Sequence, residues 1–315
     1  MPISVMYAKK YLIEEVIMDD KKIKVWGYEE SENKLNEYLT SDSKGDLDLS
    51  KWLPAIKRIR KHGVRTGEVI VIMAATKLGK TIFLQNLLWQ MEEPFLLFET
   101  ELPSNLTMFR FLQIALKRTD DQLEQDYQDG QPVPELIAGK FKKNVHCVYD
   151  YIDVDDVIPI VKEWETVNKR KLKILAFDHL GLIKGKGNSK YERTSYVVDR
   201  LKDIAKQTDT VVIIISQIHR PPDVKLFDYR PQLNSAKDSG NIENAADLAL
   251  GLYYPKDQEK VNQKSNLHIE ILANRDGIWI DEVIECYFFK DHGKETLRII
   301  PIEKYNKELF GENLL

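Results

Sequence analysis

One segment constrains the fold more than any other part of the chain. Residues 69–73 are all apolar, and a loop ending in Gly79-Lys80-Thr81 separates them from a helical pattern over 82–88. A strand that turns directly into a helix presents successive backbone N–H groups at the helix N-terminus, and such a turn binds phosphate. The segment therefore predicts a phosphate-binding loop at the end of a buried strand.

This loop fits the pattern G-x-x-x-x-G-K-[ST] except at its first position, where alanine replaces glycine. The predicted nucleotide-binding residues are Ala74, Ala75, Thr76, Lys77, Leu78, Gly79, Lys80 and Thr81. In such a loop Lys80 reaches the terminal phosphates and the Thr81 hydroxyl binds Mg²⁺. Ala74 adds one methyl group, which we expect the loop to tolerate if the φ angle of Ala74 is negative.

From Gly67 onward, β-branched runs alternate with amphipathic, polar-faced stretches, a pattern typical of βαβ units. The predicted strands are 69–73, 94–98, 144–149, 172–177, 211–215, 248–253, 267–273 and 282–289. Few helices separate the late strands, which we expect to be antiparallel additions. The fold class that follows is α/β, a mostly parallel sheet with helices on both faces.

Polar side chains stand where three of these strands end. Asp178 follows one strand, and we expect it to hold Mg²⁺ through water together with Thr81. Glu99 and Glu101 follow another, where a carboxylate orients the attacking water, and we prefer Glu101. Gln217 ends a third strand, where a polar side chain can sense the γ-phosphate.

Charge is distributed unevenly along the chain. The total of 46 Lys and Arg against 50 Asp and Glu gives −4, which excludes a generally polycationic protein. The surplus lies within residues 1–50, which hold 11 acids and 7 lysines. Residues 51–65 are basic and carry Trp52, Ile56 and Ile59 at helical spacing, which predicts a short basic amphipathic helix. Its apolar stripe packs on the core, or the helix contacts a partner or DNA.

The cysteine content and the apolar runs narrow the compartment. Cys147 and Cys286 are the only cysteines and lie far apart, so we expect no disulfide framework and a reducing, cytosolic setting. No apolar run reaches the 18 or more residues of a membrane helix, and the N-terminus is unlike a signal peptide. We therefore expect a protein that is neither exported nor bound in a membrane.

Taken in order, these motifs resemble the DnaB-type and phage primase-helicase group of hexameric replicative helicases, whose motor is a RecA-like domain. The resemblance covers about residues 60–300. The matching segments are 79–81, 101–102, Arg110, 178–180, 216–220, 237–243, 246–247 and 274–277. It implies ATP and Mg²⁺ as cofactors, a ring such as a homo-hexamer, and the cytoplasm of a bacterial cell or a phage-infected host.

The resemblance also implies roles for individual residues. Glu101 would be the catalytic base, and Gln217 would link the nucleotide to the DNA-binding loops. Arg275 would be an arginine finger that enters the neighbouring subunit's site, so that ATP hydrolysis depends on ring assembly.

Single-stranded DNA is the partner that the resemblance implies for the loops after the Asp178 and Gln217 strands. Both loops are basic, and flexible lysines can follow phosphates without reading bases. The predicted DNA-binding residues are Lys184, Lys186, Lys190, Arg220, Lys225 and Arg230. A solvated loop explains any one of them equally well, but their coincidence with the family's loop positions favours DNA. Candidate protein partners are a primase, a loader or a polymerase.

Some positions depart from the family pattern. Ala273 stands where the finger strand usually has a lysine, and Lys237 replaces an arginine. Residues 1–62 do not match the family's N-terminal domain, so we predict an arm there for oligomerisation or partner contact, followed by a motor domain over 63–315. These departures favour the alternative of a RecA-like ATPase that acts as a loader, recombination or regulatory assembly factor without unwinding. A small-molecule kinase is a third, weaker alternative.

Overall fold

The structure is a computed structural model that falls into two compact units, one up to residue 44 and one from residue 45. The residues that it describes are 15–18, 21–24, 32, 47–61, 63–218, 229–233, 240–255, 265–277, 283–288 and 297–310. In the first unit, strands β1 (Glu15–Met18) and β2 (Lys21–Lys24) form an antiparallel pair. The candidate site lies in the second unit.

The second unit alternates strands and helices, as the sequence predicts. Its described strands are β3 (Val69–Ala74), β4 (Phe95–Glu99), β5 (Val145–Val148), β6 (Ile174–Asp178), β7 (Val211–Gln217), β8 (Leu248–Tyr253), β9 (Ser265–Asn274), β10 (Val283–Phe288) and β11 (Ile299–Pro301). Its described α-helices are α1 (Ile56–Ile59), α2 (Lys80–Met91), α3 (Ser104–Leu116), α4 (Asp120–Gln128), α5 (Glu135–Asn144), α6 (Val157–Asn168), α7 (Lys190–Thr208), α8 (Gly240–Ala245) and α9 (Ile302–Phe310). None of these described helices is long and apolar enough to cross a bilayer.

The strands of the second unit form one sheet in the order β11-β10-β9-β8-β3-β7-β6-β4-β5. From β8 to β5 the neighbouring strands are parallel, whereas β9, β10 and β11 are antiparallel additions. Each strand predicted from the sequence is present, with small shifts at its ends. Strand β8 differs from the expectation for the late strands because it is parallel to β3, and the three-residue β11 was too short to predict.

Burial on both faces explains why the central strands are continuous apolar runs. Every residue of β3, β4 and β6 is buried, although successive side chains point to opposite faces of the sheet. Both faces are therefore covered, as in doubly wound α/β proteins. In such sheets, ligands bind beyond the carboxyl ends of the parallel strands, which is where the predicted site residues follow β4, β6 and β7.

The predicted amphipathic helix over 51–65 is wrong in form. The chain makes a 3₁₀ turn at Leu49–Lys51 and one helical turn, α1, and Pro54 between them cannot donate a backbone hydrogen bond. Trp52 and Ile56 are buried in the core. Packing of the apolar stripe on the core is thus the interpretation that the structure confirms.

The same segment moves the boundary between the two units. Leu47 and Val64 exchange backbone hydrogen bonds of 2.9 Å each, and the Trp52 ring lies 5.1 Å from the Phe83 ring. The Trp52 indole N–H also donates to the Ile299 carbonyl at 3.1 Å. Because these contacts join the segment to the second unit, that unit begins at residue 45 and not at the predicted residue 63.

Candidate functional site

The predicted phosphate loop connects β3 to α2. Ala74 is the last residue of β3 and has no positive φ, as its tolerance required. Gly79 has a φ of 87°, and a Cβ on it would lie 3.2 Å from a ring carbon of Phe288, so glycine is needed for both conformation and space. Gly79 also caps α2 without a side-chain hydrogen bond, which leaves the first N–H groups of the helix available to an anion.

Lys80, the first residue of α2, is only 9% exposed. Its Nζ donates to the carbonyl oxygen of Ala75 at 3.0 Å, so the ammonium folds back over the loop. Burial lowers the pKa of Lys80, while the carboxylates of Asp178 and Glu101 raise it in part. The ammonium therefore lies in a site whose nearest counter-charges are the predicted metal ligand and the predicted base.

Asp178 ends β6 and is 2% exposed. Burial raises its pKa to about 6, against a hydrogen bond with the Thr81 side chain that lowers it. Its Oδ2 has no hydrogen-bond partner. A buried, unpartnered carboxylate oxygen beside a hydroxyl is a donor set that fits Mg²⁺.

The described part of the chain contains no group of three or more His, Cys, Asp or Glu side chains suited to a metal. This finding agrees with a nucleotide-bound Mg²⁺, which commonly takes one or two protein carboxylates and completes its shell with water and phosphate oxygens. Thr81 and Asp178 are the residues that could hold it here.

Glu99 and Glu101 have different surroundings. Glu99 is fully buried, and its Oε1 accepts hydrogen bonds of 3.0 Å from the backbone N–H groups of Glu101 and Leu102. Burial, followed by the charge of Asp178, raises the pKa of Glu99 to about 7. The Glu101 side chain is 39% exposed and points away from this turn, with Oε1 3.0 Å from Nε2 of His179. The geometry favours Glu101 as the base and gives Glu99 the task of shaping the turn.

Arg110, on α3, supplies a second cation near these acids. Burial lowers its pKa, and the nearby carboxylates of Glu99 and Asp178 raise it in part. The structure thus brings Lys80, Asp178 and the acids after β4 to one end of the sheet, as the sequence predicted.

Gln217 ends β7 directly beside Ala74 in the parallel register. It lines a cavity of about 290 Å³ together with residues of the loop after β6 and the first turn of α7, including His179, Lys190 and Thr194. Gln217 therefore lies between the phosphate loop and the first predicted DNA-binding loop, which is the position that a linking residue needs.

Arg275 lies elsewhere, in the turn after β9. Its Nη1 bonds Asp247 Oδ1 at 2.9 Å, and its Nη2 donates to the Asn244 carbonyl at 2.6 Å. Asp247 also accepts the backbone N–H of Val69, the first residue of β3, at 2.8 Å. Because β3 has six residues of roughly 3.3 Å each, Arg275 is about 20 Å from the phosphate loop of its own subunit. Its side chain is 49% exposed.

The first predicted DNA-binding loop, residues 179–189, is called here the β6–α7 loop. The backbone of Lys184 pairs with the backbone of residues 152 and 154, and Lys190 begins α7 with an exposed side chain. The exposed Lys186 Nζ lies 2.9 Å from Asp155 Oδ2. Asp155 also accepts from the Tyr196 hydroxyl and Arg200 Nε at 2.8 Å each. The sequence offered no signal for Asp155, which stands in an ordinary acidic stretch.

The second predicted DNA-binding loop is described only in part. Arg230 Nε bonds Glu270 Oε2 at 2.6 Å, which ties this cation to β9. Arg220, Lys225 and Lys237 lie outside the described residues.

Comparison with known proteins agrees with this geometry. The family model for the DnaB-like helicase C-terminal domain matches residues 58–294. The chain is 26% identical over 252 residues to the replicative DNA helicase DnaC of Bacillus subtilis, covering 74% of this chain and 53% of that protein. It is 27% identical over 233 residues to DnaB of Haemophilus influenzae, covering 68% and 46%. The chain spans about half the length of the curated relatives it matches.

Solved structures show the same fold. A helicase ATPase domain solved by itself superposes with a TM-score of 0.72 at 20% identity, covering 88% of this chain and 99% of that one. A DnaB-like replicative helicase, solved to show its interactions with primase, gives a TM-score of 0.69 at 18% identity, covering 89% and 68%. The RecA-like fold prediction is therefore confirmed. Because the family model matches most of the chain, the protein belongs to the family of DnaB-like helicase C-terminal domains.

Proposed function

We propose that this chain is the motor of a replicative DNA helicase, which hydrolyses ATP with Mg²⁺ at the subunit interfaces of a ring and translocates on single-stranded DNA. One observation carries the proposal: the phosphate loop and Arg275 lie at opposite ends of the same sheet. Each subunit would then contribute one half of two different sites. A head-to-tail arrangement of subunits completes such sites and closes into a ring.

Nucleotide binding would use groups that the phosphate loop already presents. Lys80 Nζ would exchange the Ala75 carbonyl for phosphate oxygens, and the free N–H groups at the start of α2 would bind the same anion. Thr81 and Asp178 would hold Mg²⁺, which neutralises phosphate charge when bound.

Hydrolysis needs a base and a further positive charge. The Glu101 carboxylate would accept the proton of the attacking water, and Glu99 would keep the Glu101 backbone in place. Arg275 would stabilise charge on the phosphates held by the neighbouring subunit, an effect worth about 10³-fold or more in related enzymes.

Coupling to DNA would run through the cavity that Gln217 shares with the β6–α7 loop. We propose that Lys184, Lys186 and Lys190 bind DNA phosphates, and that a phosphate replaces Asp155 as the partner of Lys186. Arg220, Lys225 and Arg230 remain predicted contacts of the second loop. A primase, a loader or a polymerase is the kind of protein partner that this motor would serve.

Ala273 favours a second candidate, an ATPase that assembles on DNA without unwinding it. Ala273 packs partly buried on β9, two residues before Arg275, and supplies no cation to the finger. Weaker stabilisation of the transition state would suit a loader, a recombination factor or a regulatory ring.

One experiment separates these two candidates. A forked DNA substrate with one labelled strand is incubated with the protein, and the molecular size of the protein is measured with and without ATP. The proposed motor should form a ring and displace the strand in an ATP-dependent manner, and a Lys80→Ala variant should not. Ring assembly and DNA-stimulated hydrolysis without strand displacement would favour the second candidate, whereas a monomer that ignores DNA would contradict both.

A further inference from the structure

His179, which directly follows Asp178, connects the predicted base to the β6–α7 loop. Its Nε2 lies 3.0 Å from Glu101 Oε1, and its Nδ1 accepts the backbone N–H of Gly181 at 2.9 Å. The imidazole therefore spans the gap between the turn after β4 and the loop after β6. The side chain is only 18% exposed, so this contact is largely shielded from water.

The hydrogen bond to Gly181 determines the direction of the bond to Glu101. In a neutral imidazole one nitrogen carries the proton and the other accepts. Because Nδ1 accepts from a backbone N–H, Nε2 must carry the proton, and Nε2 donates to the Glu101 carboxylate. A charged acceptor makes this a strong and directional bond.

The position of the ring is fixed by its surroundings. A Cβ on Gly181 would lie 2.7 Å from Cε1 of His179, so the backbone approaches the ring as closely as only glycine allows. On the other side, Glu99 holds the Glu101 backbone through two hydrogen bonds with the turn. Glu101 is thus held at its backbone by one residue and at its carboxylate by another.

We propose that His179 is a positioning residue that holds Glu101 in the orientation for accepting a proton and makes that orientation depend on the β6–α7 loop. This inference rests on the proposed function, because it assumes that Glu101 is the base. His179 lines the same cavity as Gln217 and Lys190, so movement of the loop on DNA acts on the ring and through it on the carboxylate. DNA-stimulated hydrolysis follows from this connection.

The test compares three substitutions in the full chain. His179→Leu removes the donor, His179→Gln keeps an amide N–H near the position of Nε2, and His179→Asn has the same chemistry on a side chain too short to reach Glu101. We expect Leu and Asn to lower kcat with single-stranded DNA by about 10-fold to 100-fold, since a misplacement of about 1 Å has that effect. Gln should recover most of the loss, and the KM for ATP should stay within about twofold because Lys80 and Thr81 are untouched.

Several results would overturn the inference. These are an unchanged kcat in His179→Leu, equal activity of the Gln and Asn variants, or a KM that rises in step with the fall in kcat. If His179→Leu does not fold, as judged by thermal melting, the Gln and Asn pair decides alone. A Glu101→Gln variant measured in parallel keeps the two claims apart. If that variant is fully active, the proposed base is wrong, and if it is inactive while His179→Leu is fully active, only the role of His179 is wrong.

Discussion

The two ends of the central sheet treat their buried carboxylates in opposite ways. At the amino end, all four oxygens of Glu68 and Asp247 have partners, which include Arg60, Arg275 and the Val69 backbone. At the carboxyl end, Asp178 Oδ2 and Glu99 Oε2 are buried with none. A buried polar atom without a partner costs about 1–3 kcal/mol, so natural folds keep such atoms mainly where a ligand will bind.

This difference teaches which end binds nucleotide and which end completes a neighbour. The carboxyl end has acids and cations arranged around an incomplete shell, as a site for Mg²⁺ and phosphate needs. The amino end is complete within one subunit, yet it leaves half of the Arg275 side chain exposed. One end is therefore a receptor for phosphate, and the other offers a cation to another subunit.

The largest expected effect distinguishes the two acids that follow β4. Glu101→Gln should slow hydrolysis by about 10²-fold to 10⁴-fold and trap bound ATP, because the amide cannot take the proton from water. Glu99→Gln should have a smaller effect, since its amide oxygen can still accept from the N–H groups of Glu101 and Leu102. Single-turnover hydrolysis with measured ATP binding compares the two. A larger loss in Glu99→Gln would reverse their assigned roles.

A smaller effect is expected for the β6–α7 loop. Changing Lys184, Lys186 and Lys190 together to Ala should weaken single-stranded DNA binding and reduce the slope of log affinity against log salt by about 2. Asp155→Asn should act in the opposite direction and raise the affinity several-fold, since Lys186 loses a competing carboxylate. Lys162→Ala, an exposed cation on α6, is the matched control. An unchanged salt slope in the triple variant would move the DNA site elsewhere.

The smallest expected effect is a dependence of stability on pH in the nucleotide-free protein. Burial raises the pKa of Asp178 to about 6 and of Glu99 to about 7, so between pH 4 and pH 7 the folded state binds more protons than the unfolded state. The free energy of unfolding should therefore fall as pH rises through this range, by on the order of 2 kcal/mol. Denaturant unfolding at pH 5 and pH 8 measures it.

The matching control for this pH dependence is Asp178→Asn combined with Glu99→Gln, which should flatten the profile. Mg²⁺ should stabilise the unmodified chain more at pH 8 than at pH 5, because the cation binds the ionised carboxylate. A pH profile that the double substitution leaves unchanged would mean that these acids are ionised without strain.

Much of the motor could be predicted from the sequence because its chemistry follows its strands. Buried parallel strands are continuous apolar runs, and the residues after them gather at one edge of the sheet, which is why Lys80, Asp178 and Glu101 were found together. Contacts between distant segments left no such signal. The Lys186 partner Asp155 and the Arg275 partner Asp247 are both far away in sequence.

The segment over 51–65 shows the other limit of sequence patterns. Helical spacing of Trp52, Ile56 and Ile59 correctly indicated which side chains are buried. It could not show that Pro54 interrupts the helix, or that the core draws the segment into the second unit. Spacing reports which residues share a buried face, while tertiary contacts decide how the backbone reaches it.

The central claim is that each ATP site is shared by two subunits, and mixing inactive subunits tests it most directly. Lys80→Ala subunits lack the phosphate lysine but keep Arg275, and Arg275→Ala subunits bind ATP but lack the finger. Each variant alone should be inactive, and an equal mixture should regain hydrolysis, since about a quarter of its interfaces pair an intact Lys80 with an intact Arg275. No activity at any mixing ratio, or normal hydrolysis by Arg275→Ala alone, would contradict the claim.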